Sequence, residues 1–287
     1  MFANIRGTEI FFDIDGMSLI PDGNRMALRP VLFLLHGGPG SDHSFFKSHV
    51  VAELRDTAQL VYIDHRGSGR SRACNPETCD LENNIEDVEA LRQYLGLDRI
   101  CLLGSSYGGM VAQGYAIRYS DRLEKLILSV TAPSYRFLED AKRIVAERGT
   151  SEQKRVCQWL WDGNFETLEQ RYEFAHAMGP LYSVTFDPEQ AEATKLRSIY
   201  NIDQLNRGFG GFLREFDFTD QLPEISCPTL VLAGAHDWIC PPHHSEIIAE
   251  HIPNARLKVF ANSSHLIAAD EPREYLATVR EFLTESR

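Results

Sequence analysis

The sequence lacks an excess of positive charge. Its 29 lysine and arginine residues stand against 41 aspartate and glutamate residues, which leaves a net charge of -12. Such a chain repels the phosphate backbone of nucleic acids and the anionic surface of membranes. We therefore expect neither nucleic acid nor a membrane among its partners.

Long hydrophobic runs and a targeting leader are also missing. No apolar stretch approaches the length that crosses a bilayer, and the first residues, MFANIRGTE, show neither a basic segment followed by an apolar core nor a small-residue cleavage site. These absences predict a cytoplasmic protein.

Cysteine is scarce, with six residues in a chain of 287. A chain of this length buries enough surface to fold without disulfides, so we expect reduced thiols. Cys74 and Cys79 share one loop, and for them a local disulfide or an oxidation-sensitive pair stays open.

Residue spacings that are typical of metal sites and nucleotide sites are absent as well. His236, His243 and His244 lie close together in the sequence, but their spacing is not diagnostic of a metal site. Neither a P-loop nor a dinucleotide-binding fingerprint is present. We predict no metal and no cofactor.

The chain does contain a repeating pattern of short apolar runs with helix-like stretches between most of them. The runs span residues 31–35, 59–63, 99–103, 123–130, 229–233 and 256–260. This alternation predicts an α/β fold, in which a parallel sheet carries helices on both faces and each crossover is right-handed. Residues 8–14 and 17–20 flank Asp15-Gly16, which predicts an antiparallel hairpin at one edge.

The strand pattern stops between residues 134 and 218. Helical segments dominate there, at 137–148, 152–161 and 165–177. We predict a helical cap at 134–218, inserted into a core formed by 1–133 and 219–287. Most of the cap's many aromatic rings should form its own core, and a minority should line a pocket beneath it.

Ser106 has the sequence context of a nucleophile elbow. Gly104 precedes it by two residues and Gly108 follows it by two, at the junction of a strand and a helix. Such a turn forces the serine into a sparsely populated backbone conformation, and the glycines allow neighbouring backbone to approach. The competing interpretation is that the serine only caps the helix that follows.

The other catalytic groups are expected at the carboxyl ends of strands, where parallel sheets bind their ligands. Backbone N–H groups of Gly38, in the glycine turn after the first buried strand, and of Tyr107 are predicted to form an oxyanion hole. Asp237 and His265 each follow a later strand, which suits the acid and the base that activate a serine. Asp220 and Asp270 are weaker candidates for the acid.

A second glycine turn, DHRGSGRS at 64–71, follows the run at 59–63. We expect Asp64 and Arg66 to pair with each other and to hold this loop.

Five segments together resemble the proline iminopeptidase family of α/β-hydrolases: HGGPG at 36–40, DHRGSGRS at 64–71, GSSYGG at 104–109, GAHD at 234–237 and Ser264-His265. The resemblance runs through the whole chain, cap included. It implies an eight-stranded, mostly parallel sheet with the cap between strands six and seven. It also implies a serine peptidase that releases amino-terminal residues, often proline, from small peptides.

One departure from the family concerns the substrate's free amino group. Members of the family look to hold it with glutamates, one in the late cap and often another beside the catalytic acid. Here the cap stretch reads NRGF at 206–209, and Trp238 follows Asp237. A buried ammonium without a counter-ion is costly, so an aminopeptidase needs a substitute, and the candidates are Asp203, Glu215 and Asp217.

These considerations leave the substrate open. The resemblance favours peptides, whereas the missing glutamates and the aromatic cap favour small carboxylic esters or lactones. In each case Trp238, Phe209 and Phe212 are predicted to contact the substrate. A non-catalytic binding or receptor protein on the same fold is a further alternative, and the complete set of catalytic residues speaks against it.

Overall fold

The computed structural model describes residues 1–72 and 75–285. Within these residues an eight-stranded sheet has the order β1-β2-β6-β5-β7-β8-β9-β10, and β3 and β4 form a separate two-stranded sheet. The strands are β1 (Phe2–Ile5), β2 (Thr8–Asp15), β3 (Leu19–Asp22), β4 (Arg25–Leu28), β5 (Val31–Leu35), β6 (Gln59–Ile63), β7 (Ile100–Ser105), β8 (Leu123–Ser129), β9 (Thr229–Gly234) and β10 (Ala255–Phe260).

The parallel sheet predicted from the apolar runs is confirmed. Strands β5 to β10 all pair in parallel, and β1 and β2 add the antiparallel edge. On β5, Phe33 and Leu35 belong to one hydrophobic cluster, whereas Leu32 and Leu34 belong to a second cluster on the opposite face. Both faces of the sheet are therefore buried, as a parallel sheet requires.

The predicted hairpin between 8–14 and 17–20 is wrong. Strand β2 pairs instead with β1, and β3 pairs with β4. Gly7 and Gly23 make these two turns, with φ values of 76° and 61°, and nothing would crowd a Cβ atom at either position. Gly16 also has a positive φ, of 86°, but it packs against backbone carbonyls and ends β2. The sequence offers three glycine turns in this region, at Gly7, Gly16 and Gly23. Its alternating pattern does not indicate which of them joins two paired strands.

Helices cover both faces of the sheet and fill the cap. Within the described residues they are α1 (Ser44–Ser48), α2 (Leu81–Tyr94), α3 (Tyr107–Arg118), α4 (Phe137–Arg148), α5 (Ser151–Asp162), α6 (Leu168–Tyr182), α7 (Pro188–Arg197), α8 (Ile202–Gly210), α9 (Pro242–His251), α10 (Ile267–Asp270) and α11 (Pro272–Thr284). None of these helices combines the length and the apolar character that a bilayer-spanning segment requires.

The elements between β8 and β9 are all helical, and α4 to α8 account for most of them. The chain enters and leaves this region through a narrow neck. Ser134 forms an antiparallel bridge with Asp217, and the N–H of Tyr135 donates to the carbonyl of Phe216 at 2.9 Å. This neck supports an insertion at 134–218, although the division into core and cap stays a prediction.

Local capping sets the helix boundaries within this region. Helix α4 begins and ends where the pattern predicted, but α6 begins at Leu168 rather than at 165. The side chain of Thr167 accepts a hydrogen bond from the N–H of Gln170 and so caps α6. A hydroxyl at this position favours a helix start over continuation.

Candidate active site

Ser106 lies between β7 and α3 in a backbone conformation that non-glycine residues seldom adopt. Its φ is 55° and its ψ is -120°, and its hydroxyl does not cap α3. The N–H of Ser106 donates to the carbonyl of Ser129 at 2.9 Å, and its carbonyl accepts from Thr131 Oγ1 at 2.8 Å. The surroundings thus hold the strained residue in place, and the helix-cap interpretation of Ser106 is wrong.

The flanking glycines are required by space rather than by φ. A Cβ atom at Gly104 would overlap the carbonyl of Gly108, and one at Gly108 would overlap the carbonyl of Leu35. Helix α3 can therefore approach β5 and β7 only because these positions lack side chains. The result is a serine held at the carboxyl end of β7.

Asp237 and His265 form a buried hydrogen-bonded pair. Nδ1 of His265 lies 2.7 Å from Oδ2 of Asp237. The second carboxylate oxygen, Oδ1, accepts from the backbone N–H groups of Ile239 and Cys240 at 2.9 and 3.0 Å. Since Nδ1–H donates to a carboxylate, Nε2 of His265 is the nitrogen left to accept a proton.

The loops that carry these two residues bind each other directly. The N–H of His236 donates to the carbonyl of Ser263 at 3.0 Å, and Ser264 Oγ donates to the carbonyl of His236 at 3.1 Å. Gly234 leaves no room for a side chain because a Cβ atom there would overlap the carbonyl of Ser264. This close packing sets the aspartate beside the imidazole.

The two weaker acid candidates have other positions. Asp270 accepts hydrogen bonds from Ser183, from Thr185 and from the N–H of Ser264, so it joins the end of α6 to the histidine loop. Asp220 is exposed at the start of a short 3-10 turn. The carboxylate that contacts His265 is that of Asp237.

A cavity of about 510 Å³ lies between these loops and the helices of the predicted cap. Ser106, His265 and Gly38 all line it, and so does Phe209. The remaining two predicted contact residues do not line it in the part of the chain that the structure describes. Trp238 is 1% exposed and packs edge-on against Tyr182, and the ring of Phe212 packs against that of Tyr107, with the ring centroids 5.9 Å apart.

Two histidines hold the glycine turn that contains Gly38. The N–H of His65 donates to Nε2 of His36 at 3.1 Å, so Nε2 is unprotonated and Nδ1–H of His36 donates to the carbonyl of Gly37 at 2.7 Å. Nε2–H of His65 donates in turn to the carbonyl of His36 at 3.1 Å. Burial lowers the pKa of both His36 and His65, which keeps both rings neutral.

The expected Asp64–Arg66 pair is wrong. Arg66 binds Asp87 of α2 with two hydrogen bonds of 2.6 and 2.8 Å. Asp64 binds Nδ1 of His43 at 2.7 Å and the N–H of Arg70 at 2.8 Å. Burial raises the pKa of Asp64, but the hydrogen bonds from His43 and from the N–H of Arg70 act in the opposite direction, and the pKa is lowered to about 2. The loop is held as predicted, by different partners.

Asp140, His243 and His244 form the described group whose spacing suits a metal ion, with ligand atoms within 4.8 Å of one another. His236 does not belong to it. Nε2 of His243 lies 2.8 Å from Asp140 Oδ2, and Arg143 donates to the other oxygen at 2.9 Å. The group joins α4 to α9 by hydrogen bonds, and we assign no metal role to it.

None of the described cysteines lines the cavity. Cys101, Cys157 and Cys240 are buried thiols, which confirms the expectation for these three, and burial raises the pKa of each. Cys74 lies outside the described residues, so the prediction for Cys74 and Cys79 stays a prediction.

Comparison with known proteins shows the family. The family model described as alpha/beta hydrolase fold matches residues 30–272. The "Proline iminopeptidase PfmaB" of Pestalotiopsis fici is 31% identical over 287 residues, which covers 98% of each chain. The chain belongs to the proline iminopeptidase family of α/β-hydrolases. It is therefore a hydrolase, and the eight-stranded fold that the motifs implied is confirmed.

Solved structures agree with this fold. The proline iminopeptidase of Mycobacterium smegmatis superimposes with a TM-score of 0.78 at 23% identity, over 99% of this chain and 97% of that chain. A thermophilic esterase from Thermogutta terrifontis superimposes with a TM-score of 0.71 at 28% identity, over 98% and 96% of the two chains. The same scaffold thus serves both peptidases and esterases.

The three acidic residues considered as partners for the substrate's amino group do not line the cavity in the part of the chain that the structure describes. Asp203, Glu215 and Asp217 are absent from the lining among the described residues, and Asp217 pairs with Arg136 at 2.6 Å. The two carboxylates that do line the cavity are Asp42 and Asp187. Neither was singled out by the sequence pattern.

Helix α6 supplies a wall of the cavity that the sequence interpretation missed. Arg171, Phe174, Ala175, Gly179 and Tyr182 all line it, and the Tyr182 ring packs 5.6 Å from the His265 ring, measured between centroids. Their spacing of three or four residues is that of one helix face. This helical spacing was the signal in the sequence that could have identified the wall.

Proposed function

We propose that this hydrolase cleaves an acyl bond of a small substrate through an acyl-enzyme on Ser106. The observation that carries the proposal is the 2.7 Å hydrogen bond between His265 and Asp237 beside the cavity that the elbow serine also lines. A serine alcohol is a weak nucleophile without a base, and the base needs its tautomer fixed. These three residues meet both needs.

The reaction has two halves. Nε2 of His265 takes the proton of the Ser106 hydroxyl while the serine oxygen attacks the carbonyl carbon. The imidazolium then gives that proton to the leaving group, and the acyl-enzyme forms. Water then attacks the acyl carbon as His265 takes its proton. The imidazolium returns that proton to the serine oxygen, the bond between this oxygen and the acyl carbon breaks, and the acid product leaves. Asp237 holds the imidazole and stabilises its charged form throughout.

Backbone N–H groups are the proposed partners of the oxyanion. Tyr107 is the first residue of α3, where a helix N–H has no acceptor within the helix. Gly38 lines the cavity in the turn that His36 and His65 hold. Loss of one such donor typically costs about 3 kcal/mol of transition-state stabilisation. The side chain of Tyr107 is buried and accepts from Asn84, so only its backbone serves this role.

Relationship to proline iminopeptidases favours release of an amino-terminal residue from short peptides. A second candidate is hydrolysis of small carboxylic esters or lactones. It is favoured by the positions of Asp203, Glu215 and Asp217 outside the cavity lining, since these were the substitutes for the family's ammonium-binding glutamates. A cytoplasmic location remains a prediction.

Labelling with a fluorophosphonate tests the nucleophile. We expect the wild-type protein to be labelled stoichiometrically and Ser106→Ala not to be labelled. Ser105→Ala is the matched control because it removes the neighbouring hydroxyl, and it should still be labelled. An unlabelled wild-type protein, or labelling of Ser106→Ala at the wild-type rate, contradicts the proposal.

A comparison of rates separates the substrate classes. The wild-type protein is assayed with proline-β-naphthylamide, p-nitrophenyl acetate and a small lactone. Preference for the amide, expressed as kcat/KM relative to the intrinsic reactivity of each substrate, supports the peptidase. Turnover of the ester or the lactone without the amide supports the second candidate.

A further inference from the structure

Arg171 brings a positive charge to the wall of the cavity. It lies in the first turn of α6, on the helix face that also carries Phe174, Ala175 and Tyr182, and all four residues line the cavity. Its guanidinium carbon lies 4.6 Å from the centroid of the Tyr200 ring and 5.6 Å from that of Phe174. The two rings hold the planar group in place.

This guanidinium is not fully satisfied by the protein. Its Nη1 atom is buried and has no hydrogen-bond partner among the described residues. A buried donor without an acceptor is costly, and the cost is larger when the donor is charged. Such a group is relieved when a ligand supplies the acceptor.

The carboxylates of the cavity lining are engaged elsewhere. Asp42 accepts from Arg70 at 2.8 Å, from the hydroxyl of Ser44 at 2.5 Å and from the N–H of Ile199 at 3.1 Å. Asp187 is exposed and caps α7 by accepting from the N–H of Glu189 at 2.9 Å. Neither therefore neutralises Arg171 through a contact of its own. The positive charge of Arg171 is therefore available to an anionic group of a ligand.

We propose that Arg171 binds a carboxylate of the substrate, at a distance from the carbonyl that Ser106 attacks. This inference rests on the proposed function and adds a substrate class to it. A carboxylate suits the site because its two oxygens match the fork of guanidinium N–H groups.

The spacing along α6 indicates how far the carboxylate lies from the reacting carbonyl. Tyr182 packs against His265, and it follows Arg171 by three turns of helix, about 16 Å along the axis. The Arg171 guanidinium packs on the ring of Phe174, which lies three residues nearer to Tyr182 along the helix. The substrate therefore carries its carboxylate several bonds from the scissile bond.

Two kinds of substrate have this chemistry. One is a short peptide, whose free carboxyl terminus lies beyond the bond that is cut. The other is a half-ester of a dicarboxylic acid, whose carboxylate lies in the acyl part. Matched pairs of extended substrates distinguish them: Pro-Gly-Gly-Gly against its carboxamide for the peptide, and p-nitrophenyl hemisuberate against p-nitrophenyl octanoate for the half-ester.

The test measures selectivity, which is kcat/KM for the charged member of a pair divided by that for the neutral member. Replacement Arg171→Gln should lower the selectivity roughly 10- to 100-fold for at least one pair, the loss typical of a charged hydrogen bond. Arg171→Lys should restore part of it, since it keeps the charge and loses the fork. Unchanged selectivity in Arg171→Gln for every pair that is turned over overturns the inference.

Arg155 offers a matched control. It is an exposed arginine of α5 that also stacks on a ring, with its guanidinium carbon 5.1 Å from the Trp159 centroid, and it pairs with Glu173. Arg155→Gln should leave selectivity unchanged. A loss in Arg155→Gln equal to that in Arg171→Gln would mean a general effect of cap charge and would overturn the inference.

A binding measurement decides the inference even when Arg171→Gln is unstable or a substrate is not turned over. Suberate should inhibit wild-type labelling by the fluorophosphonate competitively, and should raise the melting temperature, at concentrations at least 10-fold lower than suberamide does. Equal effects of the acid and the amide overturn the carboxylate site. Failure of the proposed function shows differently, as an absence of labelling at Ser106 whatever the state of Arg171.

Discussion

The two walls of the cavity are built differently. On the side of the sheet, buried polar groups meet partners at short range: Asp237 holds His265, His36 holds His65, and Asp64 holds His43. On the side of the predicted cap, aromatic rings such as those of Phe174 and Tyr182 line the cavity, and Arg171 keeps a donor without a partner among the described residues.

This difference separates two requirements. Catalysis needs groups pre-positioned within fractions of an ångström, and a dense hydrogen-bond network provides this. Substrate recognition leaves polar atoms to be satisfied by the ligand. We therefore expect the sheet wall to determine which reaction occurs and the wall formed by α6 to determine which substrate is bound.

The largest effect should come from the acid on the sheet wall. Asp237→Asn should lower kcat by about 10⁴-fold because the amide favours the wrong histidine tautomer. Steady-state rates with p-nitrophenyl acetate measure it. Asp220→Asn is the control and should have the wild-type kcat; a fall of less than tenfold in Asp237→Asn contradicts the assignment of the acid.

Steric crowding at the elbow gives the next effect. Gly108→Ala should lower the free energy of unfolding by about 3 kcal/mol or more, because its methyl group overlaps the Leu35 carbonyl. Gly96→Ala is the matched control, since nothing lies within 4 Å of a Cβ atom there and only its φ of 66° opposes the change. Its cost should be about 1 kcal/mol. Urea denaturation measures both, and equal losses would remove the steric argument.

The paired histidines of the sheet wall predict a pH dependence of stability. Burial lowers the pKa of His36 and His65 below the ordinary value of 6.5, so the unfolded chain binds protons that the folded chain refuses. The contribution of these two residues to stability is therefore present above pH 6.5 and is lost progressively as the pH falls below it.

The urea concentration at the midpoint of unfolding, measured at pH 7.5 and at pH 5.5, tests this pH dependence of stability. His65→Gln should reduce it, because one of the two groups no longer titrates. If stability decreases equally in His65→Gln and in the wild type between pH 7.5 and pH 5.5, other groups cause the decrease.

The smallest effect belongs to the acids outside the cavity. Glu215→Gln and Asp203→Asn should each change kcat/KM for proline-β-naphthylamide by less than threefold, because neither lines the cavity. Rates at two ionic strengths measure any remaining long-range attraction. A tenfold loss of kcat/KM in either variant would identify that residue as the partner of the substrate's ammonium group. It would also contradict the division of roles between the two walls.

The sheet wall was largely predictable from the sequence because its chemistry is local. Ser106, Asp237 and His265 each lie shortly after the carboxyl end of a strand, and parallel strands bring their carboxyl ends to one edge. What could not be predicted depended on partners remote in sequence. Arg66 binds Asp87, which lies 21 residues away on α2, and no spacing rule connects the two.

The α6 wall was predicted less well because an aromatic residue can face either the cavity or the core. Trp238 was expected at the substrate and is buried behind Tyr182, whereas Tyr182 packs on His265. Their sequence neighbourhoods do not distinguish these fates. Only the packing of α6 against the histidine loop decides which ring faces the cavity.

The site of acyl transfer tests most directly whether Ser106 is the nucleophile. The wild-type protein is mixed with p-nitrophenyl acetate, quenched in acid within milliseconds and digested for mass spectrometry. We expect one acetyl group on Ser106 and none in Ser106→Ala or His265→Ala. Hydrolysis with no acetyl group on Ser106, or with the group on another residue, would contradict it.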